Sequence, residues 1–224
     1  MRGGLAFCLG ATLAICAGCT GRTWFFRQKP DPVLANLNIE TPQQRVAKLQ
    51  ELSATARDGG DAEQERVSAE LAQTIQTEED PLIRAEILRV LAVCRTATAA
   101  AVLTAAMRDA DHDVRVVCCE AWAEQGGEQA TRALTDLLAN DKNVDVRLAA
   151  ARALGRLGDP AATTALATAL EDGDPAMQYR AVQSLRTVSG RDFGNDANAW
   201  REFASGGNPQ PAPSSFVQRW LDWF

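Results

Sequence analysis

Residues 144–155 read VDVRLAAARALG, a helical segment that opens with a polar turn and closes on Leu154 and Gly155. Related segments open at Asp80, Asp111 and Asp174. One polar position keeps its register through all four segments, with spacings of 31, 32 and 31 residues: Arg84, Arg115, Arg147 and Gln178. A large apolar position keeps the same spacings: Leu91, Trp122, Leu154 and Leu185. The chain therefore contains a repeated unit of about 31 residues.

Each unit also carries a second helical segment. Its apolar positions align between units: Ala99, Ala130 and Ala162; Leu103, Leu134 and Leu166; Met107, Leu138 and Leu170. A sustained period with two helices per unit is typical of an α-solenoid, because a single unit cannot bury its apolar face without neighbours. The sequence therefore predicts an all-α solenoid of about four helix pairs.

At these positions the chain resembles the HEAT-repeat family, including the short bacterial form found in phycobilisome lyase proteins. The family pattern is Asp-Pro-x-Val-Arg-x-x-Ala-x-x-Ala-Leu-Gly, and the segment from Val146 to Gly155 follows it most closely. The resemblance covers about residues 78–204 and implies four HEAT-like helix pairs there. It implies little about chemistry, because a fold does not determine a function.

The composition of the 224 residues agrees with a helical protein. Forty residues are Ala, the strongest helix former and a poor strand former. A net charge of −6 argues against nucleic acid as a partner, since nucleic-acid binders present basic surfaces. His112 is the only histidine, which excludes any metal site or mechanism that needs two.

Two further helices are predicted before the repeats, within residues 41–77. Thr41 with Gln44 has the spacing of a capping box, and Asp61 with Gln64 repeats that signal after a Gly-Gly break. We expect these helices to form an antiparallel hairpin that covers the first repeat.

The N-terminus reads as an export signal. Residues 1–18 combine Arg2 with a short apolar run and small residues at the end. The sequence Ala-Gly-Cys ending at Cys19 resembles the lipobox of bacterial lipoproteins, although Cys16 stands where that family usually has Leu. The resemblance implies cleavage before Cys19, its acylation, and a membrane-anchored protein of the bacterial envelope facing the periplasm or the exterior. The alternative is an ordinary signal peptide cleaved near Ala17.

A tether is predicted over residues 19–40. It contains the aromatic run 24–26, flanked by basic residues. These aromatic side chains either sit at the membrane interface or cover the first helix of the hairpin.

The C-terminal part departs from the repeat. Asp196 is predicted to cap a short helix whose Trp200 and Phe203 cover the last unit. A Pro- and Gly-rich linker is predicted over residues 205–214.

An amphipathic tail is predicted over residues 215–224. Phe216, Trp220 and Trp223 have the spacing of one helix face. This face binds a membrane interface or a partner's groove, or it folds back on the solenoid.

Few residues point to chemistry. The repeated arginines either grip an anionic ligand or, as we expect, pair with acidic residues at the helix N-termini: Asp80, Asp111, Asp113 and Asp145. The acidic run 109–113 has Val114 where a calcium loop needs Gly, so it is interpreted as a capping loop. No metal site or cofactor is predicted.

The cysteines of the repeats are interpreted as small core residues. Cys118 and Cys119 align with the buried face of the first helices. Cys94 aligns about 10 Å further along the helix axis, so no disulfide is expected.

The resulting prediction is a non-catalytic, lipid-anchored scaffold that binds an unidentified protein. The predicted contact surface is the row of second helices: Thr98, Thr104, Arg108, Thr131, Arg132, Thr135, Thr164 and Thr168. Trp220 and Trp223 of the tail are further candidates. Two alternatives remain: a tetrapyrrole (bilin) lyase or chaperone, by fold analogy alone, and a purely structural envelope protein.

Overall fold

The structure is a computed structural model that describes residues 40–210. Within that range the chain forms ten α-helices and two short 3₁₀ helices and contains no strand. The predicted all-α fold is therefore confirmed. The predicted signal peptide, Cys19, and the tail with Trp220 and Trp223 lie outside the described residues and stay predictions.

The helices follow one another in pairs. They are α1 (Pro42–Asp58), α2 (Asp61–Thr77), α3 (Pro81–Leu91), α4 (Ala97–Ala106), α5 (His112–Gln125), α6 (Gly127–Asn140), α7 (Val144–Leu157), α8 (Thr163–Thr168), α9 (Pro175–Ser189) and α10 (Ala197–Ala204). Two 3₁₀ helices, Pro160–Ala162 and Ala169–Glu171, flank α8. The second helix of the third unit is thus shorter than the repeat alone predicts.

The helices stack in sequential order, as a solenoid requires. The first helices α1, α3, α5, α7 and α9 pack along one another, and the second helices pack mainly against first helices. The aligned apolar positions are buried except Met107, which is half-buried. The buried large ones are Leu91, Trp122, Leu154 and Leu185 on the first helices, and Leu103, Leu134 and Leu166 on the second. The repeat register read from the sequence therefore describes the core.

Side-chain caps set where most of these helices begin. Thr41 and Gln44 form the predicted capping box at the start of α1. The equivalent prediction for Asp61 is wrong, because Gly60 is the N-cap of α2 and Asp61 is already helical. Gln64 instead donates to Ala56 O at 3.2 Å and accepts from the Arg95 amide at 2.9 Å. Its amide therefore joins the hairpin to the loop that precedes α4.

The last helix closes the C-terminal end of the stack. Asp196 caps α10, as predicted, by accepting hydrogen bonds from two backbone amides. Trp200 is fully buried and meets Phe193 edge-to-face, with ring centroids 4.8 Å apart. α10 packs against α8 and α9, so this aromatic pair lies over the end of the core.

None of the helices within residues 40–210 combines the length and apolar character that a membrane crossing requires.

Candidate functional site

The repeated arginines form ion pairs that link each unit to the next. The pairs are Arg84–Asp109 at 2.8 Å, Arg115–Asp141 at 2.7 Å and Arg147–Asp172 at 3.2 Å. The partners predicted from the sequence (Asp80, Asp111, Asp113 and Asp145) are therefore wrong. The arginine side chain extends along the stack to the following loop, whereas the helix-capping carboxylates bind backbone amides of their own helix.

Each partner carboxylate lies two residues before the N-cap of the following first helix. Asp109 accepts from the Asp111 amide at 2.9 Å, and Asp141 accepts from the Asn143 amide at 2.8 Å. Arg115 also donates to Asp109 O at 2.7 Å, so one guanidinium ties two loops together. A regular acidic residue two positions before each cap was the sequence signal for these partners.

The ends of this series of ion pairs differ from its middle. Arg45 pairs with Glu78 at the N-terminal end, although α1 lies outside the 31-residue period. In the last unit Gln178 replaces the arginine and donates to Asp172 O at 2.8 Å. No acidic loop follows that unit at the repeat spacing, so a neutral side chain is sufficient there.

The ion pairs shift the pKa values of both partners. Burial opposes ionisation of Asp141, but the hydrogen bonds from Arg115 and the Asn143 amide lower the pKa of the carboxyl below its ordinary value. The same balance lowers the pKa of Asp109 beside Arg84. The hydrogen bonds that Arg115 donates to Asp141 raise the pKa of the guanidinium. Each of these arginines is bound by a carboxylate of the protein itself. This favours the structural role of the repeated arginines over the binding of an anionic ligand.

The cysteines of the repeats are free thiols inside the core. Cys94, Cys118 and Cys119 are fully buried. Burial raises the pKa of Cys119 to about 12 and that of Cys118 well above its ordinary value. A thiol that neither ionises nor reaches solvent is a poor nucleophile, so these residues serve packing.

The acidic run before α5 acts as a helix cap. Asp111 accepts from the Asp113 and Val114 amides, at 2.8 and 3.4 Å. Asp111, His112 and Asp113 bring their ligand-type atoms within 4.8 Å of one another. Exposed acidic side chains in a capping turn have this proximity without binding an ion, and nothing further at this turn indicates a metal.

The residues predicted to bind a partner differ in how exposed they are on the second helices. Thr104, Arg108, Arg132 and Thr168 are exposed, and Thr135 is half-buried. Thr131 is buried, contrary to the expected surface position, because its hydroxyl donates to Asp159 at 2.7 Å. Thr98 is half-buried, and its hydroxyl donates to Glu65 of α2 at 2.7 Å.

A groove of about 510 Å³ lies between α6 and α8. It is lined by Thr135, Leu138, Ala139, Arg147, Ala161, Thr164, Ala165, Thr168, Ala169, Asp172 and Met177. Three of the predicted residues, Thr135, Thr164 and Thr168, meet here. Thr104, Arg108 and Arg132 are not among the groove-lining residues. The groove opens because consecutive second helices make little contact, while the first helices pack closely.

The residues that line the groove carry no unpaired charge. Its charged residues, Arg147 and Asp172, are paired with each other, and the remaining walls are threonine hydroxyls and small or medium apolar groups. A smaller recess of about 200 Å³ continues it toward α10 and shares Thr164 and Thr168. The smaller recess is lined by both Ser205 and Glu171, but the Ser205 hydroxyl donates to Arg201 O at 2.9 Å and Glu171 pairs with Arg201 at 3.5 Å. Apolar walls with a few hydroxyls suit a protein segment better than a phosphate or a charged metabolite.

A comparison with protein-family models agrees with the repeat fold. The family model described as HEAT repeats matches residues 68–143 and 131–197, more than half of the chain. No curated protein matches the chain. Among solved structures, it is similar to the crystal structure of an engineered protein, with 19% identity over 78% of this chain and 84% of that one. The TM-score of that superposition is 0.46.

Proposed function

Because the chain belongs to the HEAT-repeat family, we propose that it is a scaffold that binds another protein through the groove between α6 and α8. The observation that carries this proposal is the groove itself. It places Thr135, Thr164 and Thr168 around an apolar floor and leaves no unpaired charge among its lining residues.

The buried thiols and the paired arginines also favour a binding role over a catalytic one. Among the described residues, the cysteines are inaccessible and the repeated arginines are occupied. No observation favours the tetrapyrrole alternative, since the groove offers no accessible thiol and no free cation for a propionate.

Site-specific photocrosslinking tests the groove. A photoreactive amino acid replaces Thr168, and a matched protein carries it at Thr187 of α9, which is exposed and does not line the groove. We expect a discrete crosslinked adduct in the native envelope from position 168, and loss of that adduct when Thr135→Arg fills the groove.

Two results would reject the proposal. The first is equal adducts from positions 168 and 187, which would indicate random collision. The second is an adduct that persists with Thr135→Arg while the variant keeps the parent melting temperature, since binding would then not use the groove.

We further propose that Cys19 is acylated and anchors the scaffold to an envelope membrane. The support is the lipobox-like sequence that ends at Cys19. Several acyl chains would hold the protein firmly, whereas one chain holds only marginally. Labelling with a fatty-acid analogue should mark the parent but not Cys19→Ala, and the variant should leave the membrane fraction. A labelled Cys19→Ala protein would contradict the anchor.

The aromatic tail remains a candidate contact of the same scaffold. Deletion of residues 215–224 removes Trp220 and Trp223 without touching Cys19. Reduced membrane partition after this deletion would assign the tail to the membrane, and unchanged partition would dismiss that role.

A further inference from the structure

Leu82 is exposed where the repeat elsewhere has no large apolar side chain. It is 73% exposed at the start of α3. The equivalent positions in the following units are Asp113, Asp145 and Ala176. Leu82 and Tyr179 are the exposed large hydrophobic residues of the described chain. Tyr179 lies on α9, which is the first helix of the last unit. Leu82 lies inside the stack, so the end of the solenoid does not account for its exposure.

Leu82 borders a second groove, of about 520 Å³, on the first-helix side of the solenoid. The groove runs over α1, α3 and α5, and its apolar surface comes from Val46, Leu82, Ala85, Val116 and Val117. It shares no residue with the groove between α6 and α8. The two sites are therefore separate.

The polar lining of this second groove is acidic. Four carboxylates, from Glu86, Asp111, Asp113 and Glu120, face a single guanidinium from Arg89. Arg89 is already paired with Glu86 at 2.7 Å. The excess of negative charge around the apolar surface is therefore not neutralised by the lining residues.

Helix capping accounts for part of this charge but not for all of it. Asp111 caps α5, and Asp113 in the first turn is favoured by the helix dipole. Asp113 has 80% of its side chain exposed, and the imidazole of His112 lies 3.5 Å from its carboxylate. Glu120 lies in the middle of α5, where neither effect applies, and it forms no ion pair with another described residue.

We propose that this second groove binds a basic amphipathic segment of a partner protein. An apolar residue of the segment packs against Leu82 and Val116, while Lys or Arg side chains face Asp113 and Glu120. An amphipathic helix in an apolar groove is a common recognition mode, and complementary charge at the rim selects its partner. The same acidic rim repels an anionic membrane surface.

The probe is a fluorescent helical peptide of about 16 residues, made of Leu at i, i+3, i+4 and i+7 with Lys elsewhere. Its binding to the full chain is followed by anisotropy. We expect saturable binding, and no binding of the matching peptide with Glu in place of Lys. Equal binding of the two peptides would overturn the proposal.

Substitutions locate the site and provide its control. Asp113→Lys and Glu120→Lys should each weaken binding by about fivefold or more, since each replaces an attraction by a repulsion. Leu82→Asp should weaken it by about tenfold or more through the lost apolar contact. Asp145→Lys makes the same charge change at the equivalent repeat position outside the groove and should change the affinity less than about twofold.

Equal losses in Asp145→Lys and Asp113→Lys would overturn the proposal, because binding would then follow net charge alone. Co-sedimentation with anionic phosphatidylglycerol vesicles tests the membrane instead. Vesicle binding that Leu82→Asp abolishes would also overturn it. The melting temperature of each variant is compared with the parent, and Asp113→Asn replaces the reversal where Lys lowers it.

Discussion

The guanidinium of Arg115 and the carboxylate of Asp141 form the most buried ion pair among the residues that the structure describes. Their side chains are 6% and 5% exposed. Two parallel hydrogen bonds, at 2.7 and 3.0 Å, join them. Arg115 also donates to Asp109 O, and Asp141 also accepts from the Asn143 amide. A buried pair of this kind contributes little net stability while intact, but the loss of one partner leaves an uncompensated charge.

We therefore predict a large effect for Arg115→Ala. The free energy of unfolding should fall by about 3–5 kcal/mol, because Asp141 stays buried without its cation. The control is Arg132→Ala, which breaks the exposed pair with Glu128 and should cost less than about 0.5 kcal/mol. Urea titration measures both, and equal losses would contradict the role assigned to burial.

The same pairs predict how stability depends on pH. The pKa values of Asp109 and Asp141 are lower in the folded chain than the ordinary value of 3.8. Such carboxylates stabilise the fold above that ordinary value, and the contribution is lost as the pH falls through the folded pKa. We expect the urea midpoint to fall below about pH 4, less steeply in Asp141→Asn than in the parent. Identical slopes in the two proteins would contradict this assignment.

Leu154 and Leu82 show how burial decides the effect of one substitution. Leu154→Asp should cost more than about 4 kcal/mol, because it places an unpaired charge at a fully buried position. Leu82→Asp should change stability by less than about 0.5 kcal/mol, because Leu82 is exposed and the next unit has Asp113 at the same place. Thermal melting compares the two. An unchanged melting temperature for Leu154→Asp would refute the repeat register.

The helices themselves could largely be predicted from the sequence. Apolar spacing identified the first helices, and the cap positions of Thr41 and Asp196 follow from local chemistry that a sequence displays. The partners of the arginines could not be derived in this way, because the side chain of Arg84 can reach either its own turn or the next one. The burial of Thr131 likewise depends on Asp159 of the following unit, which packing brings close.

The close approach of α7 and α9 depends on one glycine. A methyl group on Gly155 of α7 would lie 2.7 Å from Ser184 Oγ and 2.9 Å from Ser184 Cβ of α9. Ser184 is held in place by the hydrogen bond that it donates to Ala151 O, at 2.8 Å. Gly155 therefore ends the repeat motif for a packing reason that the sequence pattern does not reveal.

Gly155→Ala should destabilise the protein even though Ala is the better helix former. The gain in helix propensity is about 0.5–1 kcal/mol, whereas overpacking costs about 1–3 kcal/mol. Gly173→Ala is the control, since nothing lies within 4 Å of the added methyl group. Urea titration should show a loss for the first variant only, and a stabilised Gly155→Ala protein would contradict the close approach.

Both grooves arise from distances between units. The groove at Thr135 and Thr168 opens where second helices stand apart, and the groove at Leu82 crosses three first helices. The sequence supplied the surface threonines but not which of them share a space, because spacing along the chain does not fix the separation of stacked helices. The sequence places Thr104 and Arg108 on the same row of second helices as Thr135. In the structure both lie outside the groove that Thr135 lines.

Across the whole stack, stability is built from contacts between neighbouring helices. Leu71 belongs to a buried cluster formed by α1 to α4, whereas Trp200 belongs to the cluster that extends to α10. Helices at opposite ends of the described chain do not touch, so each end is held by its own neighbours.

This arrangement predicts that damage at one end stays local. In Leu71→Ala, amide hydrogen exchange should accelerate in α1 to α3 and remain as in the parent in α8 to α10. Trp200→Ala should give the opposite pattern, because its indole supports α10 against the last unit. Native-state exchange read by mass spectrometry distinguishes the ends. Uniform acceleration in both variants would mean that the chain unfolds as one cooperative body rather than as a stack of neighbours.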